Sequence, residues 1–433
     1  MKQVLIVSPS FPPVNAADMH RVRQSVPHFS EFGWRPTILM VDPGLNEAAQ
    51  DPLLLKSIPE DTEIHQVKAM SPRLTRKVGL GSLALRSLPY LRWAGDKLLR
   101  DRRFDLVYFS TTMFPVMILG ASWKRRFGVP YVLDMQDPWH DDYHLSKPRS
   151  ERPKKFWFSY RLDKFLEPRA MRRVDGLISV SDTYTCTLQD RYENIRSEMC
   201  DTIPFGGNAA DFDVVRNNGV KNSVFDPADG FLHLVNTGCA GHSMLFSFEV
   251  LFKALRKGLE QNPELFGRLK LHFVGTSYAQ SGTGEKTVEP VAEQCGVADH
   301  VTEWTDRVPY FQALKLLLDA DMLLIPGLDE PGYTASKLYP YILARKPILS
   351  VVHKDSSVLS ILRQTRAGSC IGFDPSMDQN ALAGQVFVVW EKLLRKLSTA
   401  PDTDWAAFEP YTAREMTRRQ INSFERAVLA HGN

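Results

Sequence analysis

Short continuous runs of Val, Ile and Leu alternate along the chain with longer stretches in which apolar positions recur every three or four residues. The runs have the form of strands buried on both faces of a parallel sheet, and the longer stretches that of crossover helices lying on it. Strands are expected at Val4–Val7, Thr37–Val41, Glu63–Val67, Leu106–Phe109, Tyr131–Leu133, Gly176–Val180 and Asp201–Ile203. A polar stretch follows Pro204-Phe205-Gly206-Gly207, with a turn signal at Asn217-Asn218-Gly219. A second series then begins, with strands at Leu232–Asn236, Leu269–Val274, Val301–Glu303, Met322–Ile325, Ile348–Val352 and Gly368–Ile371. The pattern from Tyr411 to Ala430 is helical and follows the break Pro401-Asp402-Thr403-Asp404. The expected organisation is α/β: two Rossmann-like domains at 1–205 and 206–400, facing each other, with a helical tail at 401–433. Ligands of such sheets bind outside the carboxyl ends of the strands, so an inter-domain cleft is the expected site.

Composition removes alternatives rather than adding any. Over 433 residues, 43% hydrophobic and 24% charged residues exclude collagen-like, coiled-coil and wholly disordered chains. Lys+Arg 53 against Asp+Glu 50 leaves +3, too little for a nucleic-acid coat, and no nucleic-acid partner is expected. Cys186, Cys200, Cys239, Cys295 and Cys370 are scattered without a close pair, as free thiols in a reducing compartment are. The opening residues enter a strand directly, and no stretch is apolar enough to span a bilayer. A cytoplasmic protein, peripheral at the inner face of a membrane, is the resulting expectation.

Three segments carry chemistry. After the first strand, Ser8-Pro9-Ser10-Phe11-Pro12-Pro13 and Asn15-Ala16-Ala17-Asp18 lead into a helix bearing His20, Arg21 and Arg23. Such a turn and helix start can present backbone N–H groups to an anion, although an ordinary connection with a solvated basic helix looks the same. Tyr131 through Trp139 ends another strand with Asp134 and Asp137, and His140, Asp141 and Asp142 follow. Carboxylates there can orient or deprotonate a hydroxyl, or simply cap the next helix. The segment Pro331 to Leu349 joins a polar loop to a short helix, where Ser336 and Lys337 could hold a diphosphate. Asp211-Phe212-Asp213 and Asp319-Ala320-Asp321 have the spacing of a metal–diphosphate motif, but three residues specify little, and no metal is expected. Two further segments, Arg73–Arg103 and Lys147–Arg173, mix cations with Trp93, Trp157 and other aromatics. They suit an anionic membrane surface or a lipid-diphosphate acceptor, and equally solvated helices with buried aromatics.

The Ser336-Lys337-Leu338-Tyr339 helix before Lys346-Pro347-Ile348-Leu349 resembles the signature of family 4 glycosyltransferases, retaining enzymes of the GT-B fold. Phe11-Pro12-Pro13 with its basic helix, Arg103 to Tyr108, Asp134 to Trp139, Ser179-Val180-Ser181, Ile203 to Gly207, Phe273-Val274-Gly275, Val301 to Pro309 and Ala320 to Leu324 are similar to other family segments in the same order. The resemblance implies a nucleotide-sugar donor in the second domain and an acceptor in the first. It places Ser336 and Lys337 on the donor diphosphate and Gly275, Arg307 and Val308 at the base and ribose. Gly238 falls at the family's glycine turn, and Asn15 and Ala16 face the diphosphate from the other side. Asp137 or Asp134 would orient the acceptor, with His20, Arg21, Trp139 and Trp157 at the acceptor or membrane.

The chain departs from the pattern in four places. Pro340 stands where the family has a ribose-binding Glu, with Glu330 only near the place of its partner acid. Gly238-Cys239-Ala240-Gly241-His242 lacks a basic pair, Gln136 replaces an Arg, and Ala16-Ala17 replace two glycines. The expected function is transfer of a sugar from a nucleotide-sugar to an acceptor hydroxyl in lipid-linked or cell-surface polysaccharide synthesis, without cofactor or metal. The alternatives are a nucleotide-sugar epimerase or hydrolase of the same fold and a noncatalytic nucleotide-sugar-binding or assembly protein.

Overall fold

The computed structural model describes residues 1–75, 81–142, 145, 148, 149, 152, 156–279, 281–329 and 336–432. The chain forms two compact units, 1–206 together with 413–433, and 207–412.

The first unit is built on seven parallel strands, β1 (Lys2–Val7), β2 (Trp34–Val41), β3 (Glu63–Val67), β4 (Leu106–Ser110), β5 (Tyr131–Met135), β6 (Gly176–Ser179) and β7 (Cys200–Thr202). Their order is β3-β2-β1-β4-β5-β6-β7. Helices α1 (His20–Ser25), α2 (Leu83–Asp101), α3 (Ile118–Phe127), α4 (Phe156–Met171) and α5 (Asp182–Arg191) connect them. Successive side chains of β1 enter opposite cores, as the period of two requires. Leu5 and Val7 pack with Leu91 of α2, Trp123 of α3 and Leu166 of α4. Val4 and Ile6 pack with Val22 of α1 and with Met416, Ile421 and Phe424 of the C-terminal helix, Ala413–Gly432.

That last contact differs from the sequence expectation of a tail starting at 401. Residues 401–412 stay with the second unit, and the helix closes the core of the first. Phe424 meets the rings of Tyr108 at 4.9 Å and Trp34 at 5.5 Å. Burial of one such side chain contributes about 2 kcal/mol, and an apolar helix face left in water would forgo it.

The second unit holds β8 (Leu232–Thr237), β9 (Leu269–Val274), β10 (Val301–Trp304), β11 (Met322–Pro326), β12 (Ile348–His353) and β13 (Ser369–Phe373), again wholly parallel. The order is β10-β9-β8-β11-β12-β13. Its helices include α6 (Ala209–Asn217), α7 (Leu245–Gln261), α8 (Tyr310–Asp319), α9 (Leu338–Leu343), α10 (Ser357–Thr365) and α11 (Gln379–Leu394). Leu234, Leu271 and Phe273 of the sheet pack under Leu251 and Leu255 of α7 and Val386 and Trp390 of α11. The Gly207 N–H donates to the Tyr411 carbonyl at 2.8 Å, so the two ends of this unit lie side by side.

Both sheets run outward in opposite directions from their first strand. The connection reverses between β1 and β4 in one unit and between β8 and β11 in the other. Loops diverge at such a reversal, which leaves a crevice at the carboxyl ends of the two strands.

Candidate functional site

At the reversal in the second sheet, β8 is followed by Gly238, whose φ of 102° a residue with a side chain rarely adopts. The Thr237 N–H beside it donates to the Tyr341 hydroxyl of α9 at 2.7 Å, which ties the end of β8 to the helix that follows β11. Lys337 is the residue immediately before α9. Its stem is half-exposed, but its Nζ is buried and, among the described residues, has no hydrogen-bond partner. Burial pushes the amine down to about 8, against a small opposing effect of Cys239, which stands in the Gly238 turn. A buried ammonium without an acceptor is unfavourable, and an anion placed beside it would restore the missing interactions.

Gly275, at the end of β9, also has positive φ (77°), and a Cβ there would come within 3.6 Å of the Arg307 backbone. Arg307 is exposed, with its guanidinium over the ring of Tyr278 at 5.5 Å, and Val308 is half-buried beside it. The expected donor residues Gly238 and Lys337 thus share one reversal point, while Gly275, Arg307 and Val308 occupy the neighbouring edge of the same sheet. Ser336 is exposed in the turn before α9, whose first helical residue is Leu338. Glu330 lies outside the described residues. Pro340 is inside α9 and offers no carboxylate. Arg345, just after α9, has positive φ (57°) with its guanidinium over Trp405 at 4.7 Å.

At the reversal in the first sheet the structure corrects several expectations. Asp134 is fully buried, and its Oδ2 accepts from Arg21 Nε at 3.2 Å, Ser110 Oγ at 2.8 Å and Gln136 Nε2 at 2.8 Å. Arg21 also donates to the carbonyls of Ile203 at 2.6 Å and Pro204 at 3.0 Å, with its plane over Phe205. Neither side chain reaches solvent to meet an acceptor. They form an internal brace between α1, β5 and the chain after β7. Trp139, expected at the surface, is buried too: it stacks on Phe114 and donates its indole N–H to Asp163 at 3.0 Å. An indole with one polar atom packs well wherever that atom finds an acceptor.

Asp137 remains at the surface of this edge. Burial on its inner side and the neighbouring Asp18 carboxylate hold its carboxyl above the usual range. Tyr184 of α5 is close enough that Asp137, after burial, pushes its phenol up. Asp18 and Tyr184 are functional candidates that sequence reasoning passed over. Asn15 and Ala16 are half-exposed, and the Asn15 N–H is taken by the Ala49 carbonyl at 2.7 Å, so it is not a free donor. His20 is half-buried, with Nδ1 at 3.3 Å from Arg23 Nε.

The carboxylates of the two Asp-x-Asp stretches have partners within the second unit. Asp211 accepts from the Tyr310 hydroxyl, Asp319 from Lys315 and Asn222, and Asp321 from the His233 N–H. Trp157, by contrast, is 63% exposed on the outer face of α4.

A family model described as a glycosyl transferase 4-like domain matches residues 20–206. The first unit belongs to the glycosyl transferase 4-like family. The second unit carries the other half of the GT-B fold, as solved structures show. The chain is similar to the N-terminal domain of Candida albicans trehalose-6-phosphate phosphatase, with TM-score 0.62 and 12% identity over 100% of this chain and 97% of that one. It is similar to Anabaena HepE in complex with UDP and glucose, with TM-score 0.58 and 13% identity over 98% and 100%. It also resembles a glycosyltransferase from Rickettsia africae, with TM-score 0.57 and 12% identity over 99% and 98%. No curated protein matches the sequence. At these identities the likeness is one of fold. The likeness to the glycosyl transferase 4-like family rests on the family model and covers the first unit, and the surroundings of Lys337 and of Asp137 are each read from this chain alone.

Proposed function

We propose that the protein is a retaining glycosyltransferase that moves a sugar from a nucleotide-sugar, bound by the second unit, to an acceptor hydroxyl bound by the first. The observation that carries this reading is the Nζ of Lys337 at the reversal of the second sheet, buried and without a partner among the described residues. An amine so placed stabilises negative charge that grows on a leaving diphosphate, and does so without reorganising. The exposed turn at Ser336 and the Gly238 turn give the phosphates room beside it. Gly275, Arg307 and Val308 take the base and ribose, where Pro340 supplies no acidic contact. On the acceptor side Asp137 orients the hydroxyl, and the departing diphosphate oxygen receives its proton. Fixed cations and N–H groups serve in place of a metal.

Thermal stabilisation by UDP, GDP, ADP, CMP, dTDP and their sugar conjugates tests the donor half. A ligand that binds only the folded chain at a hundred times its Kd stabilises by about 2.7 kcal/mol. One nucleotide is expected to raise the melting temperature, and its cognate sugar conjugate to raise it further. No shift with any of them would favour the noncatalytic binder that Pro340 suggests. Release of free sugar or an epimer without acceptor would favour the hydrolase or epimerase.

The acceptor is proposed to be lipid-linked or part of a cell-surface glycan, met at the inner face of an anionic membrane. Trp157, Arg161, Lys164, Phe165, Arg169 and Arg172 are all exposed and recur along one face of α4 and the residue after it. No acid interrupts that face: Asp163 bonds Trp139, and Glu167 is buried with Arg191. Tyr90, Trp93, Lys97 and Arg100 form a second such stripe on α2, with Trp93 70% exposed. Among the described residues no helix is long and apolar enough to cross a membrane. Cations beside interfacial aromatics favour anionic headgroups by about 1 kcal/mol per charge. The protein is expected to sediment with phosphatidylglycerol vesicles and not with phosphatidylcholine vesicles, and replacing Trp157 and Phe165 by Ser should release it. Equal binding to both lipids would refute an anionic surface.

A further inference from the structure

The loops that leave the carboxyl ends of β8, β9 and β10 stay hydrogen-bonded to one another beyond the sheet. The Gly238 N–H donates to the Val274 carbonyl at 2.8 Å and the Ala240 N–H to the Thr276 carbonyl at 3.0 Å. Toward β10, the Gly275 N–H donates to the Trp304 carbonyl at 2.8 Å and the Ser277 N–H to the Thr305 carbonyl at 3.1 Å. Further along the β9 loop, Asp306 accepts the Ser281 hydroxyl at 2.7 Å and the Gly282 N–H at 2.9 Å. Tyr278 stands between these anchors, 76% exposed. The Arg307 guanidinium lies over its ring at 5.5 Å, and among the described residues nothing else stacks on it.

A single exposed tyrosine needs no explanation of its own. What sets this one apart is its mounting and its place. The backbone is fixed on both sides of it and a cation backs one face of the ring, so much of the cost of ordering the side chain is met before any ligand arrives. The loop of β9 and β10 lies two strand spacings, roughly 10 Å, from the reversal between β8 and β11 where Lys337 Nζ is buried. A ribose and two phosphates can bridge such a span. We propose that Tyr278 is the stacking platform for the nucleobase of the donor, with Arg307 holding the ring from behind.

This rests on the donor site at Lys337 proposed above, and it narrows the class of donor to one that ends in a flat aromatic base. A sugar carried on a polyprenyl phosphate has no group to lay on the ring. Every base has a π-face, so the platform supplies affinity and leaves the identity of the base to hydrogen bonds at its edge. Arg307 then acts on the base through Tyr278. The base is also remote from the bond that breaks, so the stack is made equally in the ground state and the transition state and belongs to donor binding alone.

Calorimetric titration of the full-length protein with UDP, GDP, ADP, CMP, dTDP and inorganic pyrophosphate separates the platform from the phosphate site. Tyr278→Ala is expected to weaken the nucleotide that the wild type binds best by about tenfold to a hundredfold, and to leave pyrophosphate unchanged. Tyr278→Trp should restore the affinity, and its added indole fluorescence should be quenched by the nucleotide and not by pyrophosphate. Lys337→Met, by contrast, should weaken both. Unchanged nucleotide affinity in Tyr278→Ala overturns the proposal while leaving the donor site standing. So does an equal loss for nucleotide and pyrophosphate, which would make Tyr278 a support of the loop, and so does a wild type that binds pyrophosphate as well as any nucleotide. A wild type that binds none of the six overturns the donor site itself. With donor and acceptor in hand, Tyr278→Ala should raise KM for the donor with kcat retained, and a loss confined to kcat would count against the stack.

Discussion

Lys337→Ala is expected to lower sugar transfer by about a hundredfold to a thousandfold while the protein remains folded, the range seen when one preorganised donor to a developing anion is removed. The loss should fall on kcat, because charge on the leaving diphosphate is greatest in the transition state. A companion substitution, Lys337→Met, keeps the apolar stem and separates catalysis from stability. The amine lies at about 8 in the folded chain against 10.5 for a free lysine, so its sign is that of a destabilising burial. Below pH 8 the amine is charged in both states, and the folded state bears the full cost. Between about 8 and 10.5 the unfolded state binds the extra proton, and stability rises with pH. Lys337→Met should therefore unfold at higher temperature than the wild type at pH 7, with the gap closing toward pH 10.5. Binding of a nucleoside diphosphate should weaken across the same interval in the wild type and not in the variant. An unchanged transfer rate in Lys337→Ala would remove this residue from the site.

The second large effect is on stability. Asp134→Ala deletes the carboxylate that faces Arg21 and leaves a guanidinium at 3% exposure with only carbonyl acceptors. Removing one partner of a buried ion pair costs about 3 kcal/mol or more, and the double variant Arg21→Met with Asp134→Leu should recover much of that loss. Urea denaturation of Arg21→Met, Asp134→Leu and the double variant closes the cycle. If Asp134→Ala proves neutral, the brace between α1, β5 and Ile203–Pro204 contributes nothing, and Asp134 becomes available for a role in binding after all.

The sheets were largely legible in the sequence because parallel strands buried on both faces show as unbroken apolar runs. Glu63–Val67 and Leu269–Val274 fall where the pattern puts them. β2 was underestimated because Arg35 and Pro36 interrupt the apolar run at its start, although Trp34 already pairs with Lys2. The glycines at 238 and 275 were legible for a different reason: a positive φ at a strand end leaves few other residue types possible. The interior of the first site was not legible. Arg21 and Asp134 read as exposed chemistry because a charged residue usually is exposed, and only the fold brings together side chains 113 positions apart. Asp18 could not be singled out, since its partners Thr111 and Thr112 are common residue types 93 and 94 positions away. Trp139 shows the same limit in reverse. An aromatic beside acids reads equally as a surface or a core residue until its ring has a neighbour.

The chain leaves the first unit at Gly206 and returns to it at Ala413, through ends that are one hydrogen bond apart. During synthesis, therefore, the first sheet emerges long before the helix that covers one of its faces. Val4, Ile6, Trp34 and Tyr108 wait with that face uncovered while more than two hundred residues are translated, at least ten seconds at ordinary ribosomal rates of about 5–20 residues per second. The second unit, continuous and bounded by adjacent ends, can complete itself in that interval. The unit whose sheet emerges first is thus the last to finish folding, and a nascent chain stalled before Phe424 should engage a chaperone that the same chain, once its C-terminal helix has docked, no longer needs.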